Sequence, residues 1–208
     1  MATEEYHALR RRQVAEAVER LVAEHGLAAV TIAKAAAEAA VSVGLVQHYF
    51  ASKDDLLRYA YTQVTERALA RAQQRAQELD AHHGSIRRAL GESLAERLPL
   101  DETRQAEWRV LFAFTARAVD QPILAAVRNQ TEAALRAQVA QAITNGKECG
   151  EVPPDTDADP AAAGLLAIVE GLSLHAYLDP ATMPASVALA ELNRALMTVL
   201  PGQCRQYD

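Results

Sequence analysis

The chain has 208 residues, of which 50% are apolar and 23% are charged. This length suits one ordinary domain or a small head module joined to a larger body, and the composition supports a packed core and excludes global disorder. The net charge of −6 argues against nucleic-acid binding by the protein surface as a whole. A protein with a negative net charge can still bind nucleic acid through one small face. Residues 1–60 contain seven Lys or Arg and eight Asp or Glu, so this segment is nearly neutral. Charge therefore neither predicts nor excludes nucleic-acid binding.

The two cysteines, Cys149 and Cys204, are too few to staple a chain of this size, so we expect a reduced intracellular setting. The first residues, MATEEYHALRRR, lack an apolar signal segment, and no run approaches the roughly 18–20 apolar residues that span a bilayer. These features predict a soluble cytoplasmic protein with no membrane partner.

Helices are the predicted secondary structure throughout the chain. Alanine and leucine are abundant, and apolar residues recur at helical spacing, as Val14, Val18, Leu21 and Val22 do in the first segment. No stretch alternates as a strand would. The fold class is therefore all-α, with about nine helices. The predicted helices cover, in chain order, residues 4–24, 32–39, 42–49, 52–79, 85–98, 102–119, 122–146, 160–178 and 184–200.

Local start and stop signals define the first helix boundaries. Gly26 is placed to end the first helix, and Thr31, Ser42 and Ser52 are natural N-caps of the second, third and fourth helices. The acidic, proline-containing stretch 150–159 is the clearest loop.

Residues 31–53, TIAKAAAEAAVSVGLVQHYFASK, form the most informative segment. Two helices of about eight residues, separated by a turn of about four residues, fit a helix-turn-helix, whose second helix enters the major groove of DNA. Ala36, Ala37 and Ala40 keep the first helix slim, so the second can cross it closely. By geometry alone, any tight helical corner is at least as good an interpretation.

The segment resembles the head of the TetR-type transcriptional repressors, whose pattern usually reads T-x-x-x-I-A-x-x-A-G-V-S-x-G-x-x-Y-x-Y-F-x-S-K-x-x-L-L. The length of the chain, the N-terminal position of the motif and the all-α body are similar to the family as well. Beyond the head, the resemblance depends only on the helix count and on the apolar C-terminal helices. The matching residues are Ala37, Ala39, Val41, Ser42, Gly44, Tyr49, Phe50, Ser52, Lys53, Leu56 and Leu57.

Three positions depart from the family pattern. Ala36 stands where isoleucine is common and Ala40 where glycine is common, and we expect both to trade packing bulk without changing the fold. Gln47 stands where tyrosine is common, which removes a phosphate-binding hydroxyl but adds an amide able to bond adenine.

The resemblance implies an N-terminal three-helix DNA-binding domain at residues 1–52, with the helix-turn-helix at about 31–50. It also implies a larger helical bundle at residues 53–208 for ligand binding and dimerisation. The resemblance also implies residues that contact DNA in three ways. Phosphates at the helix starts are bound by Thr31 and Ser42, and the major groove is faced by Val43, Gly44, Gln47 and His48. The DNA backbone is held by Tyr49 and Lys53, with Lys34 as a further phosphate contact. Phe50 is expected in the core. Arg10–Arg12 are further phosphate candidates, with a solvated surface charge as an equal alternative.

No motif of comparable strength occurs in residues 53–208. Members of the family bind a small effector between helices, and the resemblance implies that large side chains of the body contact it. For each of them, plain core packing is the favoured alternative. The implied contacts are Trp108, Phe112, Phe114, His175 and Tyr177. Arg109 and Arg117 could pair with an acidic effector, although surface positions are favoured. A loop is favoured over a metal site at His82-His83. Cys149 and Cys204 lack CxxC spacing, so no metal or other cofactor is predicted.

The last two predicted helices are apolar on more than one side, so each must be buried on a second side. A central core helix and a two-fold interface, in which helix pairs from two subunits form a four-helix bundle, are equally good explanations. The candidate interface residues are Leu165, Ile168, Leu172, Leu189, Leu192 and Leu196.

The resemblance to the TetR-type family implies a sequence-specific DNA-binding transcriptional regulator, a homodimeric repressor that a small-molecule effector releases from a double-stranded DNA operator. The alternative of an enzyme built on a helical bundle is disfavoured, because the chain has no G-x-S-x-G, no H-E-x-x-H and no phosphate-cradling glycine loop. An activator with the same DNA-binding head remains open.

Overall fold

The computed structural model describes residues 2–80 and 85–204. Over these ranges the chain forms nine α-helices, one short 3₁₀ helix at Leu27–Ala29 and no strand, which confirms the all-α prediction. The α-helices are α1 (Ala2–His25), α2 (Ile32–Glu38), α3 (Val43–Tyr49), α4 (Lys53–Asp80), α5 (Ile86–Ala95), α6 (Glu102–Ala118), α7 (Pro122–Cys149), α8 (Ala158–Leu178) and α9 (Ala185–Val199).

The predicted boundaries of the first helices are confirmed. At the starts of α2, α3 and α4, the hydroxyl of Thr31, Ser42 or Ser52 accepts a hydrogen bond from the backbone N–H three residues later. Gly26 follows the last residue of α1 with a φ of 75° and a ψ of 171°, a positive-φ conformation that glycine adopts at little cost.

The prediction that α7 ends at about Gly146 was wrong, because the helix continues to Cys149. A Cβ atom on Gly146 would lie 2.6 Å from Cγ2 of Val152. The glycine therefore allows the loop after α7 to approach the helix closely, and it does not end the helix. The prediction for α5 was also too long, since this helix ends at Ala95.

The chain divides into two compact units. The first comprises Met1–Arg67 and Ala106–Arg128, and the second comprises Ala68–Gln105 and Asn129–Asp208. α4, α6 and α7 each contribute residues to both units. The functional division at residue 52 stays a prediction.

The first unit packs α1, α2 and α3 against the start of α4. It contains an ion-pair group, in which Arg67 of α4 lies 2.5 Å from Glu19 of α1 and 3.4 Å from Glu107 of α6. Burial raises the pKa of Glu19 despite this partner. Fully buried members of this core include Val14, Val18, Val30, Ala35, Val46, Leu56 and Val64.

The second unit has its own core, formed by α5, the end of α7, α8 and α9. α8 is long and apolar enough to cross a membrane by length and composition, so the expectation that no run approaches such a span was wrong. Seven residues of α8 are buried within this unit, among them Leu165, Val169 and Leu172. Its apolar composition is thus what a core helix of a helical bundle requires.

Candidate nucleic-acid interface

The turn between α2 and α3 fixes the path of the chain from one helix to the next. The N–H of Ala40 donates to the carbonyl oxygen of Ala37 at 3.1 Å, and the N–H of Val41 donates to that of Ala36 at 2.9 Å. This pair of bonds is a Schellman motif, in which the residue after the helix end takes a left-handed conformation. Ala40 occupies that place with a φ of 53°, the one positive φ outside glycine among the described residues.

Ala40 therefore corrects one expectation from the sequence. We expected alanine in place of the common glycine to trade packing bulk only. The turn does form with alanine, but position 40 also requires a left-handed backbone conformation. A residue with a Cβ atom loses about 1–2 kcal/mol in the left-handed region relative to its ordinary conformation.

The third helix and its C-cap have one buried side and one exposed side. Val46 and Phe50 are 0% and 1% exposed in the core of the first unit, which confirms the core prediction for Phe50. The opposite side is exposed and holds the residues expected to face the major groove or a phosphate: Ser42, Val43, Gly44, Gln47 and His48. These side chains can meet a partner without any loss of core packing.

The hydroxyls of Thr31 and Ser42 are exposed at the starts of α2 and α3. Each oxygen already accepts a hydrogen bond at 3.1 Å, from the backbone N–H of Lys34 and of Leu45 respectively. A hydroxyl that accepts a bond keeps its own proton for donation. Both groups can therefore cap their helix and donate to a phosphate oxygen at once.

Tyr49 is half-buried at the end of α3, and its hydroxyl lies 2.6 Å from Nδ1 of His7 in α1. The His7 ring stands edge-on to the Tyr49 ring, with centroids 5.6 Å apart, and lies 6.3 Å from the ring of His48. Sequence reasoning missed His7. No pattern in the first helix distinguishes it, because its partner is 42 positions away in the chain.

The two predicted lysine contacts are placed differently. Nζ of the half-buried Lys53 donates to the carbonyl oxygen of Leu27 at 2.7 Å. An ammonium group has three donors, so two remain for a phosphate. Lys34 is exposed on α2. A substitution of Lys34 therefore tests a DNA-backbone contact without removing the bond to Leu27.

Arg10, Arg11 and Arg12 do not form one uniform cluster. The guanidinium carbon of Arg11 lies 4.7 Å from the ring centre of Tyr59, and that of Arg10 lies 5.1 Å from the ring centre of Tyr6. These distances allow cation–π attraction. Arg12 is exposed, whereas the other two are half-buried, so Arg12 is the strongest phosphate candidate of the three.

Gln13 is a second residue that sequence reasoning missed. Its Nε2 donates to the carbonyl oxygen of Ala39, the C-cap of α2, at 2.7 Å. Its Oε1 accepts a hydrogen bond from Arg10 at 2.7 Å. Gln13 thus ties α1 to the residue from which the turn toward α3 begins.

The implied effector contacts fall in both units: Trp108, Phe112 and Phe114 in the first, and His175 and Tyr177 in the second. The rings of Trp108 and Phe112 are stacked, with centroids 5.1 Å apart and planes inclined by 10°. Phe114 is fully buried and stacks on Tyr61 at 3.9 Å, as a core residue does. His175 is exposed and Tyr177 is half-buried.

The two arginines considered for an acidic effector both have partners within the first unit. Arg109 donates to the carbonyl oxygen of Ala23. Arg117 makes a two-point contact with the carboxylate of Asp54, at 3.0 and 3.1 Å. The pair His82-His83 lies outside the described residues.

The six candidate interface residues separate into two groups by exposure. Ile168 and Leu189 are 42% and 40% exposed. The other four, Leu165, Leu172, Leu192 and Leu196, are at most 8% exposed and belong to the core of the second unit. Their apolar character is thus accounted for by packing within the subunit.

Two family models match the chain. Residues 14–60 match the model described as bacterial regulatory proteins, tetR family. Residues 86–201 match the model described as BetI-type transcriptional repressor, C-terminal. The first match contains the exposed α3 surface, and the second covers more than half of the chain.

Individual proteins give the same result. The HTH-type transcriptional regulator PksA of Bacillus subtilis (strain 168) is 31% identical over 175 residues, which is 84% of this chain and 82% of the relative. A transcriptional regulator from Rhodococcus sp. Rha1 has a similar crystal structure, with a TM-score of 0.79, 32% identity and coverage of 92% and 96% of the two chains. A putative transcriptional regulator from Saccharomonospora viridis, crystallised in complex with choline, shares the fold, with a TM-score of 0.77, 24% identity and coverage of 90% and 95%.

Proposed function

The chain belongs to the TetR family of bacterial regulatory proteins and is a DNA-binding transcriptional regulator, and on this premise we propose that it acts as a homodimeric repressor released from its operator by a small-molecule effector. The observation that carries the proposal is the two-sided α3, whose core side is buried while Val43, Gly44 and Gln47 remain exposed. In a helix-turn-helix, residues near the start of the second helix read base edges in the major groove.

Each exposed group of α3 has a role that its chemistry supports. The amide of Gln47 can donate to and accept from the edge of an adenine, and Val43 can touch a thymine methyl group. Gly44 has no side chain to keep the DNA at a distance. The hydroxyls of Thr31 and Ser42 and the ammonium of Lys34 supply phosphate contacts, which position the protein but do not select sequence.

Dimerisation is supported by a second stripe on α8, which is apolar except for one histidine. Gly164, Ile168, Gly171, His175 and Leu178 recur at alternating spacings of four and three residues, the period at which one helix packs along another. A Cβ atom on either glycine would meet nothing within 4 Å, so a partner helix has room to approach there. Ile168 and Leu178 are 42% and 66% exposed.

The exposed apolar surface continues on α9, where Val187, Leu189 and Met197 are 38%, 40% and 52% exposed. We infer that these faces of α8 and α9 meet their copies in a second subunit, as an isologous two-fold interface. Two linked heads can then engage two half-sites about 34–36 Å apart when the half-sites lie one helical turn apart.

For the effector, the stacked pair of Trp108 and Phe112 is the best-supported contact. Phe112 is 46% exposed, so part of the stack is open to a ligand. Faces of aromatic rings attract quaternary ammonium ions. The choline bound by the similarly folded Saccharomonospora regulator makes choline the first probe to use.

The effector is tested by thermal unfolding with choline and, as a matched control, with 3,3-dimethylbutan-1-ol, which replaces the charged nitrogen by carbon. Choline at about 100 times its Kd should stabilise the protein by about 2.7 kcal/mol, a rise in Tm of roughly 5–10 °C. The neutral control should give a smaller shift, and Phe112→Ala should reduce the response to choline. Equal shifts with both compounds would reject a cationic effector.

DNA binding is tested by an electrophoretic mobility shift with DNA from around the protein's own gene. Gln47→Ala should change the ranking of operator variants by about 1–3 kcal/mol at one base position. Gln73→Ala, at an exposed glutamine of α4, is the matched control and should leave the ranking unchanged. If the two variants behave alike, Gln47 does not read a base.

Lys34→Ala should weaken binding to all sequences alike and reduce the salt dependence by about one phosphate contact. Transcription in vitro from the same DNA separates repression from activation, because a repressor lowers the transcript yield and an activator using the same head raises it. A higher yield would reject the repressor assignment and leave the DNA-binding assignment intact.

A further inference from the structure

Two thiols and one carboxylate meet in the second unit, where the end of α7 lies near the segment after α9. Sγ of Cys149, a carboxylate oxygen of Glu151 and Sγ of Cys204 all lie within 4.8 Å of one another. Cys149 is the last residue of α7 and is buried, whereas Cys204 is half-exposed. Both cysteines are free thiols in this structure.

Backbone contacts hold the two segments together. The N–H of Gly202 donates to the carbonyl oxygen of Glu151 at 2.9 Å. A Cβ atom on Gly202 would lie only 2.2 Å from the carbonyl oxygen of Gly150, so the segments approach too closely for a residue with a side chain at this position. The side chain of Arg87 also donates to the carbonyl oxygen of Leu200 at 2.9 Å. The approach of the cysteines is therefore fixed by the fold around them.

The carboxylate of Glu151 is already engaged. It is fully buried, and its two oxygens accept the N–H groups of Ile86 and Arg87 at 2.7 and 2.9 Å, which caps the start of α5. The thiol of Cys149 donates to the carbonyl oxygen of Gly146 at 3.5 Å or to the Glu151 carboxylate at 3.7 Å. Burial raises the pKa of Cys149 and keeps the thiol protonated. These contacts suit a pair of thiols better than a set of metal ligands.

We propose that Cys149 and Cys204 form an oxidisable dithiol that closes to an intramolecular disulfide when the protein meets a hydroperoxide. Sequence spacing gave no sign of this site. It arises because the fold brings the end of α7 and the segment after α9 to one place.

The two thiols take different roles in the reaction because they differ in exposure to solvent. The half-exposed Cys204 reacts first: its sulfur attacks one oxygen of the peroxide, the O–O bond breaks, and Cys204 becomes a sulfenic acid as one alcohol or water leaves. The sulfur of Cys149 then attacks the sulfur of Cys204. The S–S bond forms, the S–O bond breaks, and the hydroxyl leaves as water with the proton of Cys149. Two thiols thus lose two electrons and two protons to one peroxide.

Closure requires the sulfurs to approach to about 2.05 Å. The bond would join the two ends of the segment that contains α8 and α9, and so constrain the unfolded chain. From the usual effect of a disulfide of this kind, we expect the oxidised protein to melt roughly 5–10 °C higher than the reduced protein.

The test uses the full chain, treated with hydrogen peroxide and then denatured with an alkylating reagent present. The expected product is a monomeric chain lighter by about 2 Da, with neither cysteine alkylated, a Cys149–Cys204 cross-linked peptide after digestion, and full reversal by dithiothreitol. Cys204→Ser, at the half-exposed position, keeps the buried thiol and should show neither the mass loss nor the rise in Tm.

Three results would overturn the proposal. Both thiols could remain alkylated after treatment, or the cross-link could join two chains on a non-reducing gel. Alternatively, Zn²⁺ alone could bind one ion per chain, protect both thiols and raise the Tm in the absence of peroxide, which would identify a metal site. Cys149→Ser serves as a second variant wherever it folds, and it should leave Cys204 as a sulfenic acid that dimedone can trap.

Discussion

Nδ1 of His7 and the hydroxyl of Tyr49 lie 2.6 Å apart and join α1 to the end of the helix expected to read DNA. The direction of this bond matters. When the ring nitrogen donates to the tyrosine oxygen, the hydroxyl proton is free for a phosphate; when the tyrosine donates to the nitrogen, it is not. We therefore expect His7 to position the Tyr49 hydroxyl for DNA.

We expect His7→Phe to weaken DNA binding about two- to tenfold, because it keeps the ring packing against Tyr49 but removes a hydrogen bond worth about 0.5–1.5 kcal/mol. The loss should be the same for all operator variants, since the contact expected of the hydroxyl is with the DNA backbone and not with a base. Fluorescence anisotropy with labelled operator DNA measures it.

The control is a double-mutant cycle with Tyr49→Phe. If His7 acts through the tyrosine hydroxyl, the double variant should bind no more weakly than Tyr49→Phe alone. Additive losses would show that His7 contributes to DNA binding by another route, and the positioning role would be rejected.

Ala40 offers a test of stability in the same head. Ala40→Gly should raise the free energy of unfolding by about 0.5–1 kcal/mol, because glycine relieves the left-handed strain at a φ of 53°. The greater freedom of glycine in the unfolded chain offsets part of this gain. Ala37→Gly, the same change within α2 itself, should lower the free energy of unfolding by a similar amount. Urea denaturation compares them. Destabilisation by both variants would contradict the left-handed assignment.

Much of the fold could be predicted because its determinants are local. An N-cap such as Thr31 or Ser42 depends on a hydroxyl and an N–H three residues apart, so the sequence contains the whole interaction. The exposed side of α3 follows from the same short range, since Val46 and Gln47 are neighbours on one helix and point to different sides.

The remaining features depend on contacts between distant residues. His7 and Tyr49 come into contact only when α1 and α3 pack together. Cys149 and Cys204 come together only when the end of α7 meets the segment after α9. Helical spacing also does not tell which of two apolar stripes faces the subunit's own core. Ile168 lies three positions after Leu165, but they are 42% and 2% exposed.

Gly44 can separate folding from DNA recognition. A Cβ atom there would meet nothing within 4 Å in the protein, and glycine costs a helix about 0.5–1 kcal/mol relative to alanine. Gly44→Ala should therefore raise the Tm and yet weaken operator binding, because the new methyl group would lie on the surface that we expect to meet the DNA. Unchanged affinity with a higher Tm would remove Gly44 from the interface.

The dimer is tested at the exposed stripe of α8. Ile168→Glu should give a folded monomer, because the side chain is 42% exposed in the subunit and a charge there should disrupt only the proposed contact with a second copy. Light scattering reports the mass, and the monomer should bind a two-half-site operator poorly. Val119→Glu, at an 82% exposed site of the first unit, is the control and should remain dimeric. A dimeric Ile168→Glu would place the interface elsewhere.

The start of α6 provides a pH-dependent contribution to stability. One oxygen of Asp101 accepts the backbone N–H of Arg104 at 2.8 Å, and the other accepts its guanidinium at 2.7 Å. The backbone hydrogen bond is the largest cause that lowers the pKa of Asp101 below its usual 3.8. A carboxyl group whose pKa is lowered by folding stabilises the native state above its unfolded pKa, and this stabilisation is lost as the pH falls through the folded pKa.

Asp101→Ala should therefore lower the free energy of unfolding by about 1 kcal/mol at pH 7, as the loss of an N-cap does. The difference from the unmodified protein should shrink as the pH falls from the usual pKa of 3.8 through the lower pKa of the folded state, because the folded carboxyl group then loses its charge. Ser85→Ala removes an uncharged cap, whose hydroxyl accepts the N–H of Arg88 at 3.1 Å, and its effect should not change with pH. Urea denaturation at several pH values compares the two variants, and parallel pH profiles would show that the charge of Asp101 does not contribute to stability.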